Sequence, residues 1–353
     1  MKSKPKVTIV IPHWNGEGIL RRCLLSLRRT RYSDYRVLVV NNGSTDGSIS
    51  MVRREHPEVH MVESPVNLGF AAGCNLGIRA SDSPYIVLLN NDTEVTAGWL
   101  NPLVNLADSD PVVGAVQAKM RSFQNRDRFD YCGAAGGEMD IFGYPFAMGR
   151  IFETIETDTG QYDRVKAVFW ASGAATLLRR AALVKTGLLD DYFFAHMEEI
   201  DLDWRLQLAG YCVMTAPEAV VYHQTGATLG EERLQKMVLN HRNSILMVLK
   251  NYSPETLLWL MPMRLLLEMI TMAASVARGQ WKRAAAVGLG IWGVIRSLRH
   301  VVRKRKEVTG MRVLTDSCLM HRMYRRSIAL DYFLFGKRKA TDITIPSDRD
   351  QRG

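Results

Sequence analysis

The chain contains no Gly-x-Gly-x-x-Gly segment and no Gly-x-x-x-x-Gly-Lys-Ser/Thr segment. These are the glycine-rich turns that ordinarily cradle a dinucleotide pyrophosphate or a nucleoside triphosphate, so dinucleotide binding and P-loop phosphate binding lose their usual support. The five cysteines, Cys23, Cys74, Cys132, Cys212 and Cys318, are scattered and odd in number, with no Cys-x-x-Cys pair. That disfavours a disulfide framework or a zinc site and fits a reducing compartment. No uninterrupted apolar run reaches the roughly 20 residues of a spanning helix. The basic start, Met1-Lys2-Ser3-Lys4-Pro5-Lys6, leads straight into a strand rather than into a signal-peptide core, so export by that route is not expected. Acid is scarce in one region only. Residues 231–353 carry 23 basic and 10 acidic side chains, against 23 and 26 in residues 1–230, so the net charge of +10 belongs to the C-terminal third.

At 353 residues the chain can bury a substantial core, and its composition is that of a folded protein. Val7 to Pro12, Arg36 to Asn41, Val59 to Glu63 and Tyr85 to Leu89 read as short buried strands. Helical segments alternate with them, the first running to about Arg29 with Leu20, Leu24 and Leu27 on its apolar face. This order predicts parallel βαβ units in an α/β fold, whose ligands bind beyond the carboxyl ends of the strands. The polar turns after Pro12, Val40 and Leu89 all fall on that edge. Each turn has two readings at this level. Asp46, in Asn42-Gly43-Ser44-Thr45-Asp46, serves a ligand or merely caps a helix. Asn67-Leu68-Gly69-Phe70-Ala71-Ala72-Gly73 offers small residues either for ligand contact or for close backbone packing.

Three further segments concentrate acid and imidazole: Asn90-Asn91-Asp92-Thr93-Glu94, Glu198-Glu199-Ile200-Asp201, and Val221-Tyr222-His223. The first ends a strand, where Asp92 can hold a divalent cation or cap the next helix. The second offers carboxylates able to take a proton, or simply acid complementing a helix dipole. The third offers the commonest nitrogen ligand for metals.

Taken in order, Val-Ile-Pro-x-x-Asn, Val-Val-Asn-Asn-Gly-Ser-Thr-Asp-Gly-Ser, Asn-Leu-Gly-Phe-Ala-Ala-Gly, Leu-Leu-Asn-Asn-Asp-Thr-Glu-Val, Ala171-Ser172-Gly173-Ala174 and Glu-Glu-Ile-Asp-Leu resemble the family 2 inverting glycosyltransferases of GT-A fold. The resemblance is strongest to their bacterial rhamnosyltransferase and galactofuranosyltransferase branch, and covers about residues 5–230. It implies a GT-A, Rossmann-like, mostly parallel sheet flanked by helices. It also implies that Asp92 and His223 bind Mg²⁺ or Mn²⁺ against the donor diphosphate, a task for which one Asp suffices when phosphates and water complete the shell. Pro12, Asn15, Asn42, Asp46, Asn67, Gly69, Asn90 and Asn91 would frame the nucleotide. Glu199 would be the general base, with Asp201 in support; the family more often has Asp at the Glu199 position, which leaves Glu198, Glu199 and Asp201 as candidates for the abstraction. Asn41 stands where relatives commonly carry Asp, and the base, uracil or thymine, stays open. Gln224-Thr225-Gly226-Ala227-Thr228 is expected to order over the donor, and Trp170 and Trp204 to stack on acceptor sugars or to pack in the core.

The C-terminal third is expected to be different in kind. Leu257 to Ala277 is apolar but broken by Pro262, Arg264 and Glu268, and Ala284 to Ile295 is apolar without charge. Arg278, Lys282, Arg283, Arg296, Arg299 and Arg303 rim these runs. Such helices fit the surface of an anionic membrane, lying on it or re-entering it, better than they fit nucleic acid. The expected organisation is a catalytic domain over 1–230, a membrane-associating helical region over 231–336 and a polar tail over 337–353. The expected activity is transfer of one sugar, plausibly rhamnose, from a dTDP- or UDP-sugar to a lipid-linked or cell-envelope glycan, at the cytoplasmic face of the bacterial inner membrane. A processive polysaccharide synthase would carry several spanning helices and a Gln-x-x-Arg-Trp motif; neither is evident. A non-catalytic nucleotide-sugar-binding scaffold would bind donor without turnover.

Overall fold

A computed structural model of the chain describes residues 5–224 and 234–343. The segment 225–228 expected to order over the donor therefore lies outside the described residues, as does most of the polar tail. Four strands, β1 (Val7–His13), β2 (Tyr35–Asn42), β3 (His60–Ser64) and β4 (Tyr85–Leu89), fall where the apolar runs place them. They pair in parallel in the order β4-β1-β2-β3. Helices α1 (Glu17–Leu27), α2 (Ser48–Glu55) and α3 (Phe70–Arg79) supply the crossovers. Both faces of these strands are covered, which is why they read as continuous apolar runs. Successive side chains go to opposite sides: Ile9, Ile11, Val39 and Val87 join one core, and Val10, Val40, Ile86 and Leu88 the other.

Past β4 the sheet becomes mixed. After β5 (Thr93–Val95) and α4 (Leu100–Ser109) comes the long β6 (Val113–Ser122). A small antiparallel sheet follows, built from β7 (Gly137–Met139), β8 (Pro145–Ala147), β9 (Arg150–Ile151) and β10 (Thr154–Ile155). The main sheet then takes β11 (Lys166–Val168), β12 (Ala175–Arg179) and, beyond α5 (Arg180–Thr186) and α6 (Glu198–Leu208), β13 (Cys212–His223). β12 lies antiparallel between β4 and β6, and β13 runs parallel to β6. β5, a short turn after β4, pairs antiparallel with the end of β13, placing His223 opposite Thr93 and so at the edge where Asp92 sits.

The chain closes with α7 (Leu234–Asn251), α8 (Pro254–Ala277), α9 (Trp281–Arg296), α10 (Leu298–Met311), α11 (Asp316–Met320) and α12 (Ile328–Phe333). α7 packs against α6, α9 and α10. α8 is one helix of 24 residues despite the interruptions noted in its sequence. Pro262 costs it a single internal hydrogen bond. Arg264 and Glu268 face inward as a fully buried pair at 2.9 Å, with Arg264 over the Tyr144 ring and Glu268 held by His241. Its outward side is correspondingly apolar: Leu258, Trp259, Leu266 and Ile270 are exposed. Among the described residues α8 is the one helix long and apolar enough by itself to cross a membrane, with a mean hydropathy of 1.5 over its best window.

Candidate active site

At the carboxyl edge the polar turns brace one another. Asn15, itself left-handed at φ 55°, accepts from the Thr45 amide at 2.8 Å, and its own amide donates to Ser44 Oγ at 3.1 Å. Asp46 accepts from the amides of Gly16 (2.7 Å) and Glu17 (3.2 Å) and from that of Ser48 (3.1 Å). It thus caps the starts of α1 and α2 together, the helix-capping alternative seen in the sequence. Burial pushes its carboxyl up, but the Ser48 hydroxyl and these amides outweigh that and hold it down to about 2. Asn42 and Asn67 join at 3.1 Å, and Asn42 also grips the next turn through Leu68 N and Gly69 O. Pro12 packs behind them beside α3, near Gly73. Gly69 has φ +84°, and a Cβ there would lie 2.5 Å from the Phe194 ring, so this glycine serves close packing. The packing matters because the Phe194 carbonyl accepts from Phe70 N (2.8 Å) and Ala71 N (3.3 Å) and so fixes the α3 start to the α6 approach.

The cation station is built from two distant segments. His223 Nε2 lies 3.1 Å from Asp92 Oδ1 and 3.3 Å from Asn90 Nδ2, and its Nδ1 lies 2.9 Å from Asp130 Oδ1. Burial lowers the affinity of this imidazole for a proton, yet Asp92 and Asp130 override it and hold its pKa well above the ordinary range. Asn90 Oδ1 is a buried oxygen without a hydrogen-bond donor, and Asp92 Oδ1 is buried against the His223 ring. Hard oxygens converging on an imidazole nitrogen, with a carboxylate behind the ring, fit a divalent cation. Asp130 was not legible in the sequence; it comes from a loop after β6 and is buried beside Cys132, whose amide it also accepts at 2.7 Å. Asn91 points elsewhere, to His13 Nδ1 at 2.7 Å, where burial depresses the imidazole to about 4 and keeps it neutral.

The carboxylate station opens α6. Phe194, His196 and Met197, immediately before it, all have positive φ (64°, 70° and 73°), at a cost of about 1–3 kcal/mol each. Strain of this kind persists where the surroundings dictate the conformation, and here it turns Glu198 and Glu199 to the sheet edge. Both Oε2 atoms are buried without a partner. Burial, reinforced by the neighbouring Glu199, holds Glu198 well above the usual carboxylate range. Glu199 is raised by burial to only about 6, because the amides of Glu199, Ile200 and Gly173 draw it back. Two adjacent carboxyls are thus driven apart, one kept as an acid and one poised near neutrality, as a general base requires.

The two stations adjoin. Asn90 N donates to Ala174 O at 3.0 Å, and a Cβ placed on Gly173 would lie 3.6 Å from Glu199 Cβ. One backbone turn separates the Asp92–His223 cluster from the Glu198–Glu199 pair. Asp201 is not part of this opening. It is fully buried and paired with Arg205 (2.9 Å) and Lys250 (2.9 Å), with Asn251 Nδ2 at 3.0 Å. Its i,i+4 and long-range partners turn it into the helix packing, so its support of Glu199 is indirect. Neither tryptophan offers a sugar platform. Trp204 is fully buried between Phe169 and Tyr252, and Trp170 is buried with its indole donating to Glu138 O.

Such a sheet, with buried carboxylates and a histidine gathered at its carboxyl edge, is that of a sugar transferase with the GT-A fold. The sequence profile of glycosyl transferase family 2 matches residues 8–186, and the chain belongs to that family. The chain is 27% identical over 252 residues to the N-acetylglucosaminyl-diphospho-decaprenol L-rhamnosyltransferase of Mycobacterium tuberculosis, a match spanning 66% of this chain and 81% of that protein. It is 28% identical over 235 residues to the O-antigen biosynthesis protein RfbC of Myxococcus xanthus, across 64% of this chain and 18% of the other. Among solved structures it superposes on GalNAc-T7 with UDP, GalNAc and Mn²⁺ at a TM-score of 0.55 and 12% identity, over 72% of this chain and 49% of that one. That likeness speaks to the fold.

Proposed function

We propose that this glycosyltransferase is metal-dependent and inverting, and that it adds a single sugar, plausibly rhamnose from a dTDP-sugar, to a lipid-linked glycan. The observation that carries the reading is the contact of two chemically distinct stations through Gly173 and Ala174. Asp92 and His223, with Asn90 beside them, are the groups to hold Mg²⁺ or Mn²⁺. The ion, when bound, supplies the positive charge that neutralises the leaving diphosphate. Asp130 holds the His223 ring, and the braced turns around Asn15, Asn42, Asp46 and Asn67 hold the edge rigid around the nucleotide. Glu199 takes the proton of the acceptor hydroxyl as that oxygen bonds to the anomeric carbon. The bond to the diphosphate breaks on the opposite face, so configuration inverts. Glu198, kept protonated, leaves Glu199 as the carboxylate of the pair.

The C-terminal helices support the reading of acceptor class and location. The exposed apolar side of α8, the exposed Trp281 and Trp292 of α9 and the basic rim supported by Arg278, Lys282 and Arg283 suit a helical region lying on an anionic bilayer. The mycobacterial relative is named for a decaprenyl-linked acceptor, consistent with a catalytic domain over 1–230 delivered to the cytoplasmic face of a membrane by 231–336. The test is calorimetry with UDP-, dTDP- and GDP-sugars, with and without Mg²⁺ or Mn²⁺, on wild type and Asp92→Asn. Metal-dependent binding of one nucleotide class, lost in Asp92→Asn, is expected. Binding that ignores the metal would overturn metal dependence, and binding without any turnover would leave a scaffold.

A further inference from the structure

The segment that presents the proposed base is held from outside the sheet domain. Asn243, fully buried on α7, directs its Nδ2 to three carbonyl groups of that segment: Phe193 O (3.1 Å), Ala195 O (2.9 Å) and His196 O (2.8 Å). Its Oδ1 accepts from Arg242 Nε at 2.9 Å, which fixes the amide's orientation. Arg242 adds bonds to Tyr192 O (3.1 Å) and Phe193 O (3.3 Å). From the other side the amides of Phe70 and Ala71 take the Phe194 carbonyl. Between these clamps lie the left-handed residues Phe194, His196 and Met197, whose conformation fixes where α6 begins and therefore where the Glu199 carboxyl points. The segment's own sequence gives little support to left-handed backbone: it contains no glycine and no asparagine between Asp190 and Asp201, and of its three left-handed residues only His196 is of a type enriched there.

We propose that Asn243 is a positioning residue for Glu199, so that the catalytic unit runs through α7 rather than ending before it. The proposal rests on the reading of Glu199 as base. One buried amide holds three carbonyls in a curve that the chain does not otherwise adopt. Losing it strips these bonds from Ala195 O and His196 O, leaves Phe193 O to Arg242, and frees the segment to relax toward ordinary backbone angles.

The test uses the full chain as wild type, Asn243→Ala and Ser244→Ala. Ser244 is a matched control, one position along α7, with its buried hydroxyl accepting from Arg264 at 2.8 Å. Amide hydrogen exchange comes first, because it needs no substrate. Asn243→Ala is expected to lose protection across 193–201 while β1, β2 and β4 keep theirs. Calorimetry with dTDP and Mn²⁺ is expected to give a Kd within about threefold of wild type, since the nucleotide turns are untouched. Release of dTDP from dTDP-rhamnose should then show kcat lowered by about 10- to 100-fold with KM little changed, the order of loss that follows from about 1 Å of misplacement. Ser244→Ala should change none of these. Unaltered exchange over 193–201 in Asn243→Ala overturns the proposal, and so does protection lost throughout the sheet. If the wild type itself releases no dTDP, the reading of the base fails while the exchange result still decides the role of Asn243.

Discussion

Removing the carboxylate behind His223 should weaken the cation site without touching a cation ligand. Asp130 is buried at 2% exposure, and its Oδ1 meets His223 Nδ1 at 2.9 Å. A hydrogen bond to a charged group contributes about 1.5–3 kcal/mol, and a neutral one about 0.5–1.5. Asp130→Ala loses the whole contact, so Mn²⁺ affinity should fall by about 10- to 100-fold, the scale seen when a carboxylate behind a metal-bound imidazole is removed. Asp130→Asn keeps an acceptor for the ring and for the Cys132 amide but loses the charge, and about 1 kcal/mol, or roughly fivefold, is expected from that difference. The assay is a calorimetric Mn²⁺ titration at saturating nucleoside diphosphate, with thermal unfolding to confirm that each variant is folded. Wild-type Mn²⁺ affinity in folded Asp130→Ala would refute the reasoning, because the imidazole would then need no carboxylate to bind.

Three further outcomes are expected. With Glu199 raised to about 6 by burial, its working carboxylate form is lost as pH falls, so kcat should decline on the acid side with a midpoint near 6 rather than near 4.5; a pH profile of turnover checks this. Asp201→Asn strips a fully buried ion partner from Arg205 and Lys250 and should cost about 3–5 kcal/mol in urea unfolding, with nucleotide binding retained in the folded fraction. Trp204→Ala empties a site between Phe169 and Tyr252 and should cost about 3–5 kcal/mol by the same assay. A raised acceptor KM at unchanged stability would restore the sugar-stacking alternative.

What could be read from the sequence was local. The runs at Val7, Arg36 and Tyr85 announced buried strands because their central residues are all apolar or β-branched, and their polar turns announced the ligand edge. The roles proposed for Asp92, Glu199 and His223 rest on the resemblance of their short motifs. Long-range partners were not visible. Asp130 meets His223 from 93 positions away, and Lys250 turns Asp201 inward from 49. No periodicity marks such pairs. In the same way Arg264 and Glu268 look like breaks in an apolar run, whereas in the fold they neutralise each other on the inner side of α8. The distinction between Asn42 or Asp46 as ligand groups and as braces also needed coordinates, since Asn and Asp suit both tasks.

The central claim is that Glu199 takes the acceptor proton at a site whose donor half is separate. Glu199→Gln keeps the shape of the side chain and removes its basicity. Donor binding by calorimetry with Mn²⁺ and single-turnover transfer should be measured together on wild type and this variant. The account predicts an unchanged donor Kd and transfer slowed by about 10²- to 10⁴-fold, the usual contribution of a general base. Transfer at the wild-type rate would contradict it and move the proton to another acceptor.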